Sequence, residues 1–447
     1  MHETVALAKY AANFRYEDIP ANVLERTKHT ICDTAGAIIF GYDLPWSQMI
    51  VDYATTHGPG GKSRILGLGG AQVQPQMAAL ANGSLAHAFE LDGGCKPSVG
   101  VHPGATIFPA ALAVAQERGF SGREFITAFV AATEVMVRIA MATQHSNEIR
   151  GFHGPSTSGP FGASVVVGRL LGFDTTKMTN VLGIAASLAG GLLQFSRSGT
   201  GGMVKRLHLG RANESGVMAA NLADRGFDGP HDILEGEFGF LRVFCDDFEL
   251  SELTKGLGET FLSMNMFLKR FACHGSAQGP LQALEDLQAE HPFTAADVDT
   301  IDVQGHHEMA DRHNILEPKD PMIAQYSVPF SIALALFRDP KDPRSFYDSA
   351  INDRSIMDMC KRVRLHVEEA AGHIGLGSSV TLNLKDGRVL TKRVVHYKGL
   401  PQNPADRNDV HAKFSLLTRH CPKAKMDEMF DRLQNIEKEN DFGWLGT

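Results

Sequence analysis

The first group of residues that could do chemistry lies on a stretch too rich in glycine, proline and serine to form a regular element. The segment ELDGGCKPSVGVHPGA, residues 90–105, carries Glu90, Asp92, Lys96 and His102, and a run of small apolar residues follows it. Carboxylates, an ammonium group and an imidazole that meet in a loop ahead of a helix can exchange protons and bind an anion. We therefore predict that this stretch forms one wall of an anion site.

Three further stretches, residues 150–164, 199–216 and 268–280, also combine glycine with cations. Because glycine lets the backbone approach a ligand closely, these stretches together predict a basic pocket for carboxylates. The cations concerned are His153 in the first stretch, Lys205, His208 and Arg211 in the second, and Lys269 and His274 in the third. Structural alternatives stay open for each: a histidine in a glycine-rich turn is often only a hydrogen-bonding group, Lys205 and Arg206 could form a solvated surface pair, and Glu90 and Asp92 could cap the helix that follows.

The sequence favours neither a nucleotide nor a metal cofactor. The stretches GTGG (199–202) and ILGLGG (65–70) complete neither GxGxxG nor GxxxxGK[ST], which are the motifs of phosphate-binding loops. The densest histidine cluster is His306, His307, Asp311 and His313, but it contains no HExxH and no i, i+4 histidine pair with a carboxylate. We therefore expect neither a bound nucleotide nor a metal ion in the site.

Composition limits the possible partners and the compartment. The chain has 447 residues, of which 43% are hydrophobic and 21% are charged, and its formal net charge is -8. This length predicts two domains, and the negative charge argues against a nucleic-acid partner. The six cysteines are scattered without a CxxC pair and the N-terminus does not resemble a signal peptide, so we expect a cytoplasmic protein. The longest uncharged stretch, 178–196, holds too many polar residues and glycines for a membrane span and predicts a buried helix instead.

Apolar periodicity divides the chain into a helical part and a mixed part. Up to about Phe271 apolar residues recur at helical spacing, and the motif SGRE at Ser121 has the spacing of a capping box. In the helix that should follow, Glu134 and Arg138 stand one turn apart and can pair. Residues 299–306 and 363–367 alternate as strands, and residues 378–395 form two alternating runs around Asp386-Gly387, which predicts a hairpin. Residues 321–337 predict a helix that packs on this sheet.

These patterns predict a mainly α protein with a discontinuous architecture. We expect a large all-helical domain formed by both chain ends, residues 1–270 and 401–447, because the last 40 residues are again helical and polar-faced. A smaller α+β lid domain, residues 271–400, should be inserted between the two parts.

Eight segments of the sequence, taken in order, resemble the MmgE/PrpD family over essentially the whole chain. These segments are LANGSLAHAFELD, VHPGA, GFHGPSTSGPFGAS, GIAASLAGGL, MVKRLHLGRANESGVMAANLADRGFDGP, ILEGEFGF, KRFACHGSAQ and AQYSVPFSIALAL. The resemblance implies a dimeric, cofactor-free enzyme with a site between its helical domain and its lid, acting on a small polycarboxylate. Activities of this family include 2-methylcitrate dehydratase, cis-aconitate decarboxylase and iminodisuccinate epimerase.

The resemblance also assigns roles to individual positions. It places site groups at His102, His153, Lys205, Lys269 and His274, and acids at Glu90 and Asp92. With the residue chemistry this predicts catalytic groups at His102, His153 and Lys205, and substrate-binding or framing groups at Glu90, Asp92, Lys96, His208, Arg211, Lys269, His274 and Tyr326. Two departures stand out. The acid and hydroxyl that usually follow Asp92 are replaced by Gly93 and Gly94, and Phe330 stands where members often have tyrosine, which leaves Tyr326 as the nearest phenol.

These departures remove proton donors, and epimerisation needs fewer of them than dehydration or decarboxylation does. We therefore predict an isomerase that epimerises a small polycarboxylate such as iminodisuccinate by alpha-proton abstraction and return. The alternative is a lyase, either a 2-methylcitrate dehydratase or a cis-aconitate decarboxylase. A carboxylate-binding protein that has lost catalysis is a third possibility.

Overall fold

The computed structural model describes residues 2–67, 69–97, 100–198, 201–368 and 377–446, and it divides the chain into two compact units. The helical unit comprises Met1–Ala88, Asp92–Leu268 and Asp406–Thr447, and the second unit comprises Phe89–Leu91 and Lys269–Ala405. The protein is mainly helical with one small mixed sheet in its C-terminal region, as the sequence predicted. The first two residues of the predicted loop GTGG lie outside the described residues.

The helical unit contains thirteen α-helices and four short strands among its described residues. The helices are α1 (Glu3–Asn13), α2 (Ala21–Tyr42), α3 (Pro45–His57), α4 (Pro75–Ala86), α5 (Pro103–Arg118), α6 (Gly122–Ala142), α7 (Ser146–Ile149), α8 (Gly154–Leu170), α9 (Thr175–Ser187), α10 (Val204–Asp224), α11 (Phe240–Phe244), α18 (Arg407–Leu417) and α19 (Lys423–Gln434). The strands β1 (Pro59–Arg64) and β2 (Gln72–Val73) pair with each other, and so do β3 (Gly94–Cys95) and β4 (Met266–Phe267).

Helix α6 forms part of the core of this unit. Ser121 and Glu124 make the predicted capping box, and the Arg138 guanidinium lies 2.5 Å from the Glu134 carboxylate, with both side chains 1% exposed. Glu134 also accepts hydrogen bonds from the backbone of 262 and 263, so both oxygens of this buried carboxylate have partners. By length and composition α6 could cross a membrane, but 94% of its most apolar stretch is buried inside the protein. This is the pattern of a core helix.

Helix α10 packs tightly against α4, α5 and α8, and this packing positions several candidate site residues. A Cβ on Gly210 would lie 2.4 Å from the backbone oxygen of Leu80, so only glycine allows α4 and α10 to approach so closely. Pro109 has no N–H to bond the Ala105 carbonyl one turn earlier, and Asn213 of α10 donates to that carbonyl at 2.8 Å instead. The middle of α10 is thereby held against α4 and against the first turn of α5.

The second unit is an α+β structure built around a four-stranded sheet. Its elements are α12 (Gly275–Glu290), β5 (Val298–Gly305), α13 (His307–Arg312), α14 (Pro321–Tyr326), α15 (Val328–Ala335), α16 (Asp348–Ile351), α17 (Arg354–Cys360), β6 (Val363–Val367), β7 (Ser378–Leu384) and β8 (Val389–Val394). The strand order is β6-β5-β7-β8, with β5 and β6 parallel and the other pairs antiparallel. The predicted hairpin is confirmed, because β7 and β8 pair on either side of Asp386-Gly387, where Gly387 has φ +90°.

Two predicted helices are shorter than expected. The prediction of one buried helix over 178–196 is wrong, because α9 ends at Ser187 and the chain continues through Gly190 and Gly191 into a short 3-10 turn. The single helix predicted over 321–337 is divided into α14 and α15 at Ser327. Ser327 caps α15 by accepting a hydrogen bond from the Phe330 N–H, and Pro329 cannot donate a backbone bond to an earlier turn.

Candidate active site

Three of the predicted site histidines occupy the residue immediately before a long helix. His102 precedes α5, His153 precedes α8 and His274 precedes α12. A helix N-terminus has unpaired N–H groups and a partial positive charge, so these positions suit a bound anion. In α8 the first of these donors is already used, because the Gly154 N–H donates to the Glu148 carboxylate at 3.1 Å.

The most buried part of the candidate site in the helical unit is a carboxylate shared by two histidines. Asp92, 1% exposed, lies with one oxygen 2.7 Å from Nδ1 of His102 and with both oxygens 2.9 and 3.0 Å from Nδ1 of His87. Burial raises the pKa of Asp92, but its two histidine partners outweigh burial and hold it well below the usual range. Asp92 is therefore an anion, and each histidine must offer it an N–H.

A second pair of histidines adjoins this carboxylate. The Nδ1 atoms of His153 and His208 are 3.0 Å apart, so one ring donates and the other accepts. The Phe195 ring packs edge-on against both histidines and helps to exclude water. Burial lowers the pKa of His153 well below its usual value and that of His208 to about 4. Both rings are consequently neutral near pH 7, so one of them has Nε2 free to accept a proton and the other carries its proton on Nε2.

Lys205 supplies positive charge to this group of neutral rings. It lies in the first turn of α10 with only 4% of its surface exposed, and its charge contributes to the low pKa of His87 and of His208. Arg206 is also buried, with its guanidinium stacked 4.2 Å over the Trp46 ring and donating to the Ala88 carbonyl at 2.8 Å. The alternative of a solvated surface pair is therefore wrong: Arg206 anchors the end of α4, and Lys205 is a buried cation.

The two glycines after Asp92 are required by close backbone packing. A Cβ on Gly93 would lie 2.0 Å from the Phe267 backbone oxygen, and one on Gly94 would lie 2.8 Å from the Phe267 ring. β3 and β4 pair at this point, so these glycines allow the strand of Phe267 to approach the segment that carries Asp92. They therefore leave no free room for substrate on that side.

We expect Gly93→Ala to destabilise the protein by at least about 2 kcal/mol, because backbone rather than a flexible side chain fills the space. The backbone shift that the added Cβ forces should also displace Asp92 and lower catalytic activity. Urea unfolding and steady-state kinetics measure the two effects. Gly190→Ala is the control, since a Cβ at Gly190 meets nothing within 4 Å; equal behaviour of the two variants would contradict the packing argument.

A buried ion pair supports the Asp92 segment from the C-terminal helices. Lys413 of α18 lies 2.6 Å from the Asp33 carboxylate of α2, and the Asp33 side chain is 1% exposed. Burial raises the pKa of Asp33, while Lys413 and the backbone N–H of Gly93 act in the opposite direction. The C-terminal part of the chain is thus linked electrostatically to the loop that carries Asp92.

Lys413→Met should cost about 3–5 kcal/mol of unfolding free energy, because it leaves the Asp33 carboxylate buried without its cation. Chemical denaturation measures this loss. The double variant Asp33→Asn with Lys413→Met should recover most of it, since neither charge is then buried. A double variant as unstable as the single one would show that the pair acts through packing alone.

The second unit holds a buried ion pair between two predicted site residues. Lys269 lies 2.9 Å from the Glu90 carboxylate, and the two side chains are 4% and 5% exposed. Glu90 has φ +53°, a left-handed conformation that costs energy for a residue with a Cβ. Gln325 holds the preceding backbone by donating to the Phe89 carbonyl at 2.8 Å. The strain at Glu90 is therefore stabilised by its ion pair and by this bond.

An aromatic stack lies in the same unit. The rings of His274 and His313 are stacked 4.0 Å apart, and the Tyr326 ring lies 4.9 Å from His274. His313 donates from Nδ1 to the Tyr326 carbonyl at 3.0 Å, and burial lowers its pKa to about 4. His274 accepts the Ser276 N–H at Nδ1, so its own ring proton lies on Nε2. His274 thus presents a hydrogen-bond donor.

His313 should make the protein sensitive to acid. Its pKa is about 4 when folded and about 6.5 when unfolded, so the unfolded chain takes up a proton that the folded protein cannot as pH falls from 6.5 towards 4. Between pH 7 and 4.5 the native protein should lose about 2 kcal/mol more unfolding free energy than His313→Asn, which keeps a donor to the Tyr326 carbonyl. Unfolding at both pH values measures this, and the exposed His396→Asn is the control; identical losses in all three proteins would refute the assignment.

The remaining predicted residues lie outside these groups. Arg211 is 49% exposed and ion-paired with Glu214, and Lys96 is half-buried beside the cis peptide that precedes Pro97. Their substrate-binding roles stay predictions, as do those of the other predicted site residues. Phe330 is fully buried in α15 and supplies packing at the position of the expected tyrosine.

Sequence reasoning missed two histidines. His87 ends α4 within a quoted family segment but stands alone among apolar residues, and His313 was considered only as a metal ligand. A histidine three to five residues before an acid was the available signal for His87. This spacing alone does not predict a contact, because only the turn after α4 brings the side chains of His87 and Asp92 together.

One described group has the composition of a metal site. His87, Asp92 and His102 offer ligand atoms that all lie within 4.8 Å of one another. Since both Nδ1 atoms already donate to Asp92, a metal ion would have to displace these hydrogen bonds. The arrangement as it stands is a hydrogen-bonded relay, and the expectation of an enzyme without metal stays a prediction.

A mainly helical unit with a buried lysine, an ionised aspartate and neutral histidines defines an acid–base site suited to an anionic ligand. The sequence model of the MmgE/PrpD N-terminal domain matches residues 5–253, and that of the MmgE/PrpD C-terminal domain matches residues 271–436. The chain therefore belongs to the MmgE/PrpD family, which confirms the resemblance.

Its curated relatives include several named cis-aconitate decarboxylases. The enzyme of Aspergillus terreus is 26% identical over 468 aligned positions, which cover 99% of this chain and 94% of the relative. The human cis-aconitate decarboxylase is 26% identical over 440 positions, covering 95% and 90%. A cis-aconitate decarboxylase-like protein of Aspergillus oryzae is 30% identical over 304 positions, covering 65% and 62%.

Proposed function

We propose that this protein is a cofactor-free lyase that decarboxylates a small unsaturated polycarboxylate of the cis-aconitate kind. The observation that carries the proposal is the buried group of Lys205, ionised Asp92 and the neutral histidines. It combines a fixed positive charge with proton-transfer groups in a site largely closed to water. The full-length similarity to cis-aconitate decarboxylases supports decarboxylation over the epimerisation that the sequence alone favoured.

Decarboxylation needs a place for an electron pair and a source of one proton. The bond between the carboxylate carbon and its neighbour breaks, carbon dioxide leaves, and the electron pair is delocalised over the adjacent unsaturated carboxylate. The charge of Lys205 stabilises this carbanion, because it acts in a desolvated site where Coulomb energies are large. The carbanion then takes one proton; we assign this step to Nε2 of His102, which accepts a proton from solvent and delivers it to carbon while its Nδ1–H donates to Asp92.

The pair of His153 and His208 suits the binding of a second carboxylate. Because the two rings share one Nδ1 hydrogen bond, one of them carries its proton on Nε2 and can donate it to an anion. In the second unit, Lys269 and the Nε2–H of His274 are further donors. On the family resemblance we propose that this unit acts as a lid domain and that the enzyme is a homodimer. We also propose that the enzyme works in the cytoplasm, because its six cysteines are free.

Epimerisation of a substrate such as iminodisuccinate is the second candidate. It is favoured by the loss of an acid and a hydroxyl at Gly93 and Gly94 and of a phenol at Phe330, because abstraction and return of one alpha proton needs fewer donors. Both reactions pass through a carbanion beside a carboxylate, so the same lysine and histidines would serve either of them.

Proton NMR in heavy water distinguishes the candidates. The protein is mixed in turn with cis-aconitate, 2-methylcitrate and iminodisuccinate stereoisomers, and each mixture is compared with one that contains the Lys205→Met variant. New methylene signals with release of carbon dioxide establish decarboxylation. Deuterium entering the alpha position with interconversion of diastereomers establishes epimerisation and overturns the lyase proposal. Binding without any exchange leaves only a carboxylate-binding protein.

A further inference from the structure

His87 is the histidine most completely enclosed in the candidate site, yet none of the roles assigned so far uses it. It caps the C-terminal end of α4, and its side chain is 1% exposed. Its Nδ1 lies 2.9 and 3.0 Å from the two oxygens of Asp92. A carboxylate only accepts hydrogen bonds, so Nδ1 of His87 carries a proton and donates it.

The protonation state of His87 is settled by its surroundings. Burial lowers its pKa to about 3, and the charge of Lys205 acts in the same direction, whereas Asp92 opposes them. The ring is therefore neutral near pH 7, with its single proton on Nδ1. Its Nε2 is buried and has no hydrogen-bond partner among the described residues. The single ring N–H of His87 is therefore donated to Asp92.

His102 is fixed in the same tautomer from the other side of Asp92. Its Nδ1 lies 2.7 Å from Asp92 and 2.8 Å from the Gly93 carbonyl oxygen. Both neighbours are acceptors, so Nδ1 must carry the proton and Nε2 holds the lone pair. The Asp92 carboxylate and the Gly93 carbonyl together therefore decide which nitrogen of His102 can take a proton from a ligand or return one.

We propose that His87 is a positioning residue that locks the Asp92 carboxylate and, through it, holds His102 in the Nδ1–H tautomer with Nε2 ready for proton transfer. Only this last step, the use of Nε2 on substrate, rests on the proposed function. Without the His87 donor, Asp92 loses the partner that spans both its oxygens and can rotate about its side-chain bond. The Gly93 carbonyl would then be the remaining fixed acceptor for Nδ1–H of His102, and part of the population would adopt the other tautomer, in which Nε2 already carries a proton and cannot accept one.

Two matched variants isolate the hydrogen bond. Asn places an amide N–H close to where the histidine Nδ1–H lies, so His87→Asn keeps the donor, while His87→Leu removes it at similar size. We expect kcat to fall about 10- to 100-fold in His87→Leu with KM little changed, and to be largely retained in His87→Asn. Equal losses in both variants, with unchanged tautomers, would mean that His87 only fills space.

The tautomers themselves are measured by NMR on protein with isotope-labelled histidine, with His102 assigned from its missing signals in His102→Gln. Native protein and His87→Asn should show His102 with its proton on Nδ1, and His87→Leu should show a mixture. An Nε2–H tautomer at His87 or His102 in the native protein would overturn the inference, even if no variant can be purified. Because this readout needs no substrate, it also separates failure of the relay from failure of the proposed activity.

Discussion

Replacement of Lys205 by methionine is expected to lower kcat/KM by about 100- to 1000-fold, the usual loss when a preorganised stabiliser of negative charge is removed from an active site. Lys205 is 4% exposed, and its neighbours His87, His153 and His208 are neutral near pH 7. The histidines therefore do not replace the missing charge. Steady-state kinetics on the substrate identified by NMR measures the loss.

The control for this variant is Lys177→Met, which makes the same chemical change on an exposed lysine of the same unit, ion-paired with Asp224. It should leave kcat/KM unchanged. A second readout does not depend on activity. Because Lys205 helps to lower the pKa of His208 to about 4, its removal should raise that pKa towards the usual value, which histidine NMR can follow. Full activity of Lys205→Met would remove Lys205 from the proposed mechanism.

Replacement of Asp92 by asparagine should have an effect at least as large, about 1000-fold or more in kcat. Asparagine offers one accepting oxygen, but His87 and His102 both donate to this position. Because Nδ1 of His87 lies within 3.0 Å of both oxygens and that of His102 lies near one, the amide N–H₂ faces His87 in one orientation and both histidines in the other. A histidine that faces the amide N–H₂ shifts its proton to Nε2. Where that histidine is His102, the nitrogen required for proton transfer is blocked. Steady-state kinetics of Asp92→Asn measures the loss of kcat, and histidine NMR of the same variant shows whether His102 has changed its tautomer.

Asp92→Asn also has a predictable effect on stability. The folded pKa of Asp92 is well below its unfolded value, so the ionised carboxylate stabilises the fold above about pH 4 and this contribution is lost as pH falls through the folded value. The variant should be less stable than the native protein at pH 7, and the difference should shrink in acid. Asp427→Asn on α19 is the control and should change stability much less, because the Asp427 side chain is 38% exposed and solvent screens its ion pairs with Lys423 and His411. An unchanged unfolding midpoint at pH 7 would argue that Asp92 is not held as an anion.

Local sequence signals predicted the elements that carry the site, because caps and turns act over a few residues. Ser121 and Glu124 form their capping box, Asp386-Gly387 forms its hairpin, and 363–367 forms a strand as predicted. The breaks at Ser187 and Ser327 were not predicted, since apolar composition continues across both positions. A run of apolar residues indicates burial, but it does not indicate at which residue a helix ends.

The sequence also predicted some properties of the site residues and left others undetermined. Residue types and order along the chain were enough to identify the family and to single out Asp92, His102, His153 and Lys205 as ionisable groups in glycine-rich stretches. They were not enough to distinguish a buried lysine from a solvated one. That difference depends on what packs over α10, which the sequence of α10 does not contain.

The sequence by itself determined the helical and mixed parts of the chain, the family and most of the ionisable groups of the site, because these depend on short-range patterns and on residue identity. Only the tertiary structure decided that His87 and His102 share Asp92, that Gly93 is required by the backbone of Phe267, and that Asp33 is paired with Lys413. Each of these contacts depends on how the folded segments bury the residues and orient their hydrogen-bonding groups. Protonation states follow from the same burial, since removal of water shifts a pKa only after the fold has assembled around the group.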